Sequence, residues 1–393
     1  MKLIHTADIH LDTSYAWAAG PGVLHAPDFG RRRRQDLRAV FQAILRRAAA
    51  WPADAVLIAG DLFDLDRLRW DTVAFLREGF DLIRPIPVFI TPGECDPCTP
   101  DSPYACEDWP PNVHLFRKPV WSAVELPALN AVVHGFGFDA AQPSANPLAE
   151  GLALEADGRV HVAVGHGAEL GRLPERVARV MPFEAKTMDV KGLAYLALGH
   201  YHEITPVMGL RHTAMGYPGS PEGHDFDTPG AHYYLEVELP PGGAPEARPV
   251  ESSRTHYQRQ TVDCTGVATA EELADRLRGP LAEGAHQPLH LALTGRPAAP
   301  VDGLVRAVLA RAPQRRDLVR WADETPGTAA LEALTHEATS LGAFAARVAR
   351  ELADAPDAAR RGVVRRAAAL GLAAYRGEVS PLPGAEPGRD GLA

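Results

Sequence analysis

The chain has 393 residues, room for about two or three domains, and 46% of them are apolar, the composition of a globular protein. Its formal charge of −10 argues against indiscriminate coating of nucleic acid, though not against a local basic face. There is no run of about eighteen apolar residues, and the start "MKLIHTADIHLD" has neither a hydrophobic signal region nor a small-residue cleavage site, so the expectation is a cytoplasmic protein without a membrane span.

In chain order, "KLIHTAD" reads as a buried strand. A basic run, Arg31 to Arg34, follows; it suits a solvated helix start better than a phosphate contact. Leu37, Val40, Phe41, Ile44, Leu45 and Ala48 then recur at helical spacing. "AVLIAGD" is the next strand, Val73, Leu76, Phe80 and Ile83 mark a second helix, and "PVFITPG" is a third strand. "NVHLF", "AVVHGFGF", "VHVAVGHG", "LAYLALGHYH" and "YYLEVEL" continue the series. The early βαβαβ order with more strands later predicts an α/β sandwich of sheets flanked by helices. "LPPGGAPEARPVE" (239–251) is the best linker candidate.

Beyond it a smaller α/β unit is expected. Thr269 and Glu272 have capping-box spacing before Leu273, Leu277 and Leu281. "PLHLALTG" is a strand, Leu304, Val308 and Leu309 lie on a helix, and "DLVRWAD" is another strand. From about 338 the pattern is helical, with one stripe at Leu341, Phe344, Val348 and Leu352 and another at Val363, Val364, Ala367 and Leu370; residues 378–393 read as a flexible tail. The four cysteines are Cys95, Cys98, Cys106 and Cys264. In a chain of this length without an export signal they form no disulfide framework. Cys95-x-x-Cys98 has the spacing of a redox pair or half a zinc site, but partner cysteines at zinc spacing are missing.

Metal-binding side chains recur where apolar runs end: Asp8 and His10, Asp61, Glu94-Cys95-Asp96, His166, then His200 and His202. In an open α/β sheet, ligand sites lie beyond the carboxyl ends of the strands. One such histidine is ordinarily a hydrogen-bonded core or surface residue. Five strand ends carrying them together, most with a glycine that permits a tight turn, are a stronger signal.

The motifs "DIH" (8–10), "GDLFD" (60–64), "GECD" (93–96), "GH" (165–166) and "GHYH" (199–202) resemble the ordered signature of the calcineurin-like metallophosphoesterases, D-x-H, G-D-x-x-D, G-N-H-D/E, G-H and G-H-x-H. "IHTADIHLD", "PGECDPCTPDSPYACEDWPPNVHLF" and "MGYPGSPEGHDFD" are similar to the SbcD/YhaO-type branch, DNA repair nucleases. The resemblance implies a two-sheet metallophosphoesterase domain over 1–240, a capping domain over 255–330 and C-terminal helices over 338–377. It implies two divalent transition-metal ions: Asp8, His10 and His202 on the first, Asp61 bridging, His166 and His200 on the second with Glu94 as a further ligand. An imidazole–carboxylate set suits manganese, the leading choice, or iron or zinc. DNA would be the substrate, and a coiled-coil SbcC-like ATPase would dock on the C-terminal helices; the stripe at Leu341 is either that docking face or an internal contact. A homodimer also fits the family.

Two positions depart from the pattern. Glu94 stands for Asn and Cys95 for the His that approaches the scissile phosphate; Asp96 would orient that group. Losing general-acid help costs ~10²–10⁴ in rate, so a metal-loaded phosphodiesterase with weakened or altered activity is expected. A non-catalytic scaffold and a hydrolase of small phosphodiesters are the alternatives. Asp64 is expected to order its own loop, and Tyr217, Gly219 and Ser220 to be substrate contacts or a turn.

Overall fold

A computed structural model describes residues 1–375 apart from 21, 156, 285–286, 300, 312–315, 325–333 and 356–357. The predicted tail, 378–393, lies outside the described residues. In chain order the strands are β1 (Lys2–Thr6), β2 (Val23–His25), β3 (Ala55–Ala59), β4 (Val88–Thr91), β5 (Val113–Leu115), β6 (Ser122–Leu126), β7 (Ala131–Gly135), β8 (Val160–His166), β9 (Leu193–Gly199), β10 (Met208–Gly209), β11 (Ala214–Gly216), β12 (Tyr233–Glu238), β13 (Glu246–Glu251), β14 (Gln258–Asp263), β15 (Leu289–Thr294) and β16 (Leu318–Asp323).

One six-stranded sheet runs β13-β12-β1-β3-β4-β5, the other β10-β11-β9-β8-β7-β6. The strands β1-β3-β4-β5 of the first sheet and β11-β9-β8-β7 of the second are parallel; β12 and β13 on one side of the first, and β10 and β6 at the edges of the second, pair antiparallel. Parallel strands buried on both faces need continuous apolar runs; β3 and β4 are buried at every position. Leu3, Leu57, Phe89, Val133, Val162, Val164, Tyr195 and Val237 form the core between the sheets. Full burial of a Leu, Val or Phe contributes about 1.5–3 kcal/mol. Outside the first sheet, α1 (Phe29–Ala50) buries Leu37, Val40, Phe41, Ile44, Leu45 and Ala48, the predicted face. Helix α2 (Trp70–Leu82) buries Val73, Leu76 and Phe80. Of the basic run, Arg31 and Arg32 pair with Asp28, while Arg33 is buried against Asp36 and Thr255 rather than solvated.

The chain divides into two compact units, Met1–Gly20 with Ala26–Gln258, and Pro21–His25 with Arg259–Ala393. The expected linker is therefore corrected: after a turn at Pro240–Gly243, residues 246–251 form β13, paired along its length with β12. Pro249, counted toward a linker by composition, lies inside this strand. A sheet edge tolerates proline because an edge strand can turn an unpaired N–H position to solvent, and β13 is such an edge. The first unit accordingly runs past residue 240, to Gln258, and lacks residues 21–25.

In the second unit the sheet order is β14-β15-β16-β2. Leu289, Leu291 and Leu293 alternate inward from β15 and meet Leu273 and Leu277 of the helix Ala270–Ala282. That helix opens with the predicted capping box of Thr269 and Glu272. Helices Ser340–Ala353 and Ala358–Tyr375 pack on each other: Phe344, Val348 and Leu352 join Val364 and Ala368 in one cluster. Those three members of the predicted stripe make an internal contact; Leu341 is not in that cluster. Val363 and Ala367, expected on the apolar stripe, are exposed.

Candidate metal centre

The ends of β1 and β3 stay zipped together beyond the sheet. Asp8 N–H donates to Gly60 O, and His10 N–H to Asp61 O, both at 3.0 Å. The loop after β4 joins them: Leu65 N–H donates to Cys95 O at 2.9 Å. Asp8, His10, Asp61 and His200 all have positive φ, 52°, 49°, 51° and 106°. Non-glycine residues in that region are uncommon, and such strain clusters at functional sites. Gly60 and Gly93 allow the loops to close. A Cβ at Gly60 would fall 2.0 Å from His166 Nδ1, and one at Gly93 2.3 Å from Asp61 Oδ1.

All seven expected ligands meet at this rim. Side-chain atoms of Asp8, His10 and His202 lie within 4.8 Å of one another, as do those of Glu94, His166 and His200. His10 Nε2 faces His202 Nε2 at 3.2 Å, and His166 Nε2 faces Glu94 Oε2 at 2.6 Å. Between the two groups sits Asp61, whose Oδ2 is 3.7 Å from Nε2 of both His10 and His166. The imidazoles are held from behind: His10 Nδ1 by Asp64 at 2.8 Å, His166 Nδ1 by Ala59 O at 2.8 Å and His200 Nε2 by Ala178 O at 2.7 Å. Such outer contacts fix the tautomer and turn the other nitrogen toward a metal.

Residues 1–203 match the family described as calcineurin-like phosphoesterase. The chain belongs to that family. Similar calcineurin-like proteins include an uncharacterized metallophosphoesterase, YhaO, of Bacillus subtilis, 29% identical over 60% of this chain and 57% of that protein. The DNA double-strand break repair proteins Mre11 of Aeropyrum pernix and Methanopyrus kandleri are 27% and 24% identical, over 67% and 71% of this chain and 63% and 62% of theirs. The chain thus spans about three fifths of the length of these relatives.

Calcineurin-like phosphoesterases work with a pair of metal ions, and the donors present here fit such a pair. His166 Nε2 and Glu94 Oε2 are buried atoms without a hydrogen-bond partner, although they face each other. Their short approach is that of two donors aimed at a shared cation. Charge tells the same story. Burial lifts Asp8 to about 6 against the pull of His166. Burial, then the Glu94 charge, pushes Asp61 up. Burial also works to raise Glu94, but His166 and His200 hold it well below the usual carboxylate range. His10 would be lowered by burial, yet Asp64 and Asp61 bring it to about 9. Burial, then His10 and His224, drive His202 well down. Acids and imidazoles packed this closely compensate one another only by sharing protons, which a divalent cation replaces.

The remaining expected site residues take other roles. Asp96 does not orient position 95. Its carboxylate accepts from the backbone N–H groups of Asp61, Leu62 and Gly93 and from Tyr104 Oη, at 2.6–3.1 Å, so it clamps two motif loops together. Cys95 donates its backbone N–H to Asp61 Oδ1 at 2.9 Å, and burial followed by Asp61, Glu94 and Asp64 drives its thiol far up. Cys95 and Cys98 are both free thiols. Asp64, expected to order its own loop, instead has its carboxylate on His10 Nδ1 in the loop after β1. Gly219 makes a turn at φ 76°, Ser220 N–H donates to His202 O, and Tyr217 Oη donates to Gly167 O; these three brace the loops behind the site.

His224 carried no role in the sequence reading. It is buried, its ring edge-on to His10 at 5.3 Å, with Nε2 3.3 Å from Asp8 O and Nδ1 without a hydrogen-bond partner. Its signals were a Gly-His pair, which does not end an apolar run, and its place in the family-like stretch "MGYPGSPEGHDFD". Among the described residues, no helix is long and apolar enough to cross a membrane.

Proposed function

We propose that this chain is a metal-dependent phosphodiesterase that acts on DNA in repair, with an activity lowered by Glu94 and Cys95. The observation that carries the reading is Asp61 Oδ2, 3.7 Å from a ring nitrogen on either side, where a carboxylate shared by two ions belongs. Asp8, His10 and His202 would hold one ion and His166, His200 and Glu94 the other. When bound, a pair of transition ions activates water, orients the phosphate and stabilises the leaving oxygen. For the imidazole and carboxylate ligands alone, manganese is the first choice, iron or zinc the next.

The protein's own groups do the positioning. Asp64, Ala59 O and Ala178 O fix three imidazoles, and Asp96 keeps the Asp61 and Gly93 loops in register. Glu94 adds negative charge where the family pattern has an amide, which makes the centre a weaker electrophile. The thiol of Cys95 is a poor substitute for an imidazole that donates to phosphate.

DNA as substrate is supported by the repair proteins among the relatives. In this reading the second unit from residue 259 to 330 is a capping domain, a coiled-coil ATPase docks on the C-terminal helices outside their internal stripe, and the protein works in the cytoplasm. A homodimer is compatible with it. The altered loop favours one second reading, a metal-loaded scaffold without catalysis.

The test is metal content measured with manganese-dependent cleavage of a linear duplex and of bis-p-nitrophenyl phosphate. The expected result is about two ions per chain, slow duplex cleavage, and turnover at least ~10²-fold higher in Cys95→His, the lower range for restored acid help. Asp61→Asn should lose both ions and cleavage. A loaded protein whose Cys95→His variant still cleaves neither substrate is the scaffold. Turnover of the small ester without any duplex cleavage overturns DNA as the substrate.

A further inference from the structure

Resting on the metal centre just proposed, we infer that Cys95 is a sulfur ligand to the ion held by Asp8, His10 and His202, so that this chain favours zinc and similarly soft divalent ions over manganese. A ring nitrogen of His10, a carboxylate oxygen of Asp64 and the sulfur of Cys95 lie within 4.8 Å of one another, beside the Asp8–His10–His202 group that shares His10. The Cys95 backbone N–H donates to Asp61 Oδ1 at 2.9 Å, which seats this loop beside the carboxylate placed between the two histidine clusters. In the neighbouring cluster, the ring nitrogen of fully buried His166 has no hydrogen-bond partner and is aimed at Glu94 and Asp61.

The chemistry then follows from donor type. Oxygen and imidazole ligands leave a site open to manganese, iron or zinc, whereas thiolate selects softer ions. Metal uptake forms a metal–sulfur bond, breaks the S–H bond and releases that proton to solvent. In place of a phosphate-facing imidazole, the loop would carry a selectivity element.

The probe is cobalt(II), added to metal-stripped full-length protein and read by absorption. Wild type should show a near-ultraviolet thiolate-to-cobalt charge-transfer band beside the ligand-field bands. Cys95→Ser should keep the ligand-field bands and lose the charge-transfer band; Cys98→Ser should keep both. In competition titrations, the zinc-over-manganese preference should fall at least about tenfold in Cys95→Ser, the lower range for a disturbed metal contact. Ligand-field bands without a charge-transfer band in wild type would overturn the sulfur ligand and leave the metal centre standing. No cobalt uptake at all would overturn both.

Discussion

Gly60→Ala and Gly158→Ala separate backbone strain from crowding at the site. Both glycines have positive φ, 91° and 75°. An L-residue there costs roughly 1–2 kcal/mol. At Gly158 nothing lies within 4 Å of the added methyl, so that strain is the whole expected cost. At Gly60 the methyl would sit 2.0 Å from Nδ1, 2.5 Å from Cγ and 2.9 Å from Cβ of His166. That ring is fully buried and held by Ala59 O, so it cannot swing aside freely. Forcing an extra methyl into a packed interior costs about 1–3 kcal/mol more. Gly60→Ala should therefore lose roughly 2–5 kcal/mol against roughly 1–2 for Gly158→Ala. Urea titration measures both, provided the slopes match so that midpoints report stability alone. Moving His166 off Ala59 O should also weaken metal binding about 10–100-fold in Gly60→Ala, with no change in Gly158→Ala. Equal destabilisation in the two variants, or full metal affinity in Gly60→Ala, would refute the close packing of β3's end against His166.

Asp96→Ala strips the acceptor from three backbone N–H groups, and at about 1–3 kcal/mol for each buried orphan it should lose roughly 3 kcal/mol or more, while Tyr104→Phe loses about 1; a cost below about 1 kcal/mol in urea for Asp96→Ala would mean the clamp is not what holds the loops. His5 is buried, with its ring nitrogens on Tyr195 Oη and Leu198 O, and burial lowers it to about 3. Because the unfolded imidazole takes its proton first, the contribution of His5 is complete above about pH 6.5 and fades as the pH falls toward 3, at up to ~1.4 kcal/mol per pH unit. Stability measured between pH 6.5 and 4 should thus fall less steeply in His5→Asn than in wild type, and identical slopes would remove His5 as a cause.

Much of this site was legible because the chemistry is local to strand ends. Asp8, Asp61, His166 and His200 each follow an apolar run within a residue or two, and the parallel order of β1, β3, β8 and β9 carries those ends to one rim. What stayed hidden depends on contacts that no spacing encodes. Asp96 reads as an orienting acid by motif alone; two of its four donors are backbone groups 34 and 35 residues away. His224 reaches Asp8 only because the loop after β11 folds back over the β1 end, 216 residues earlier in the chain. The three-residue β2 has no pattern of its own and exists through pairing with β16.

That pairing means the backbone passes between the two units three times, at Gly20–Pro21, His25–Ala26 and Gln258–Arg259. A truncated protein ending at Gln258 would keep Val23–His25 while discarding the strand that zips onto it. The phosphoesterase half is therefore not a detachable module. Anyone wishing to express it alone must first excise or rebuild the short segment it lends to its neighbour.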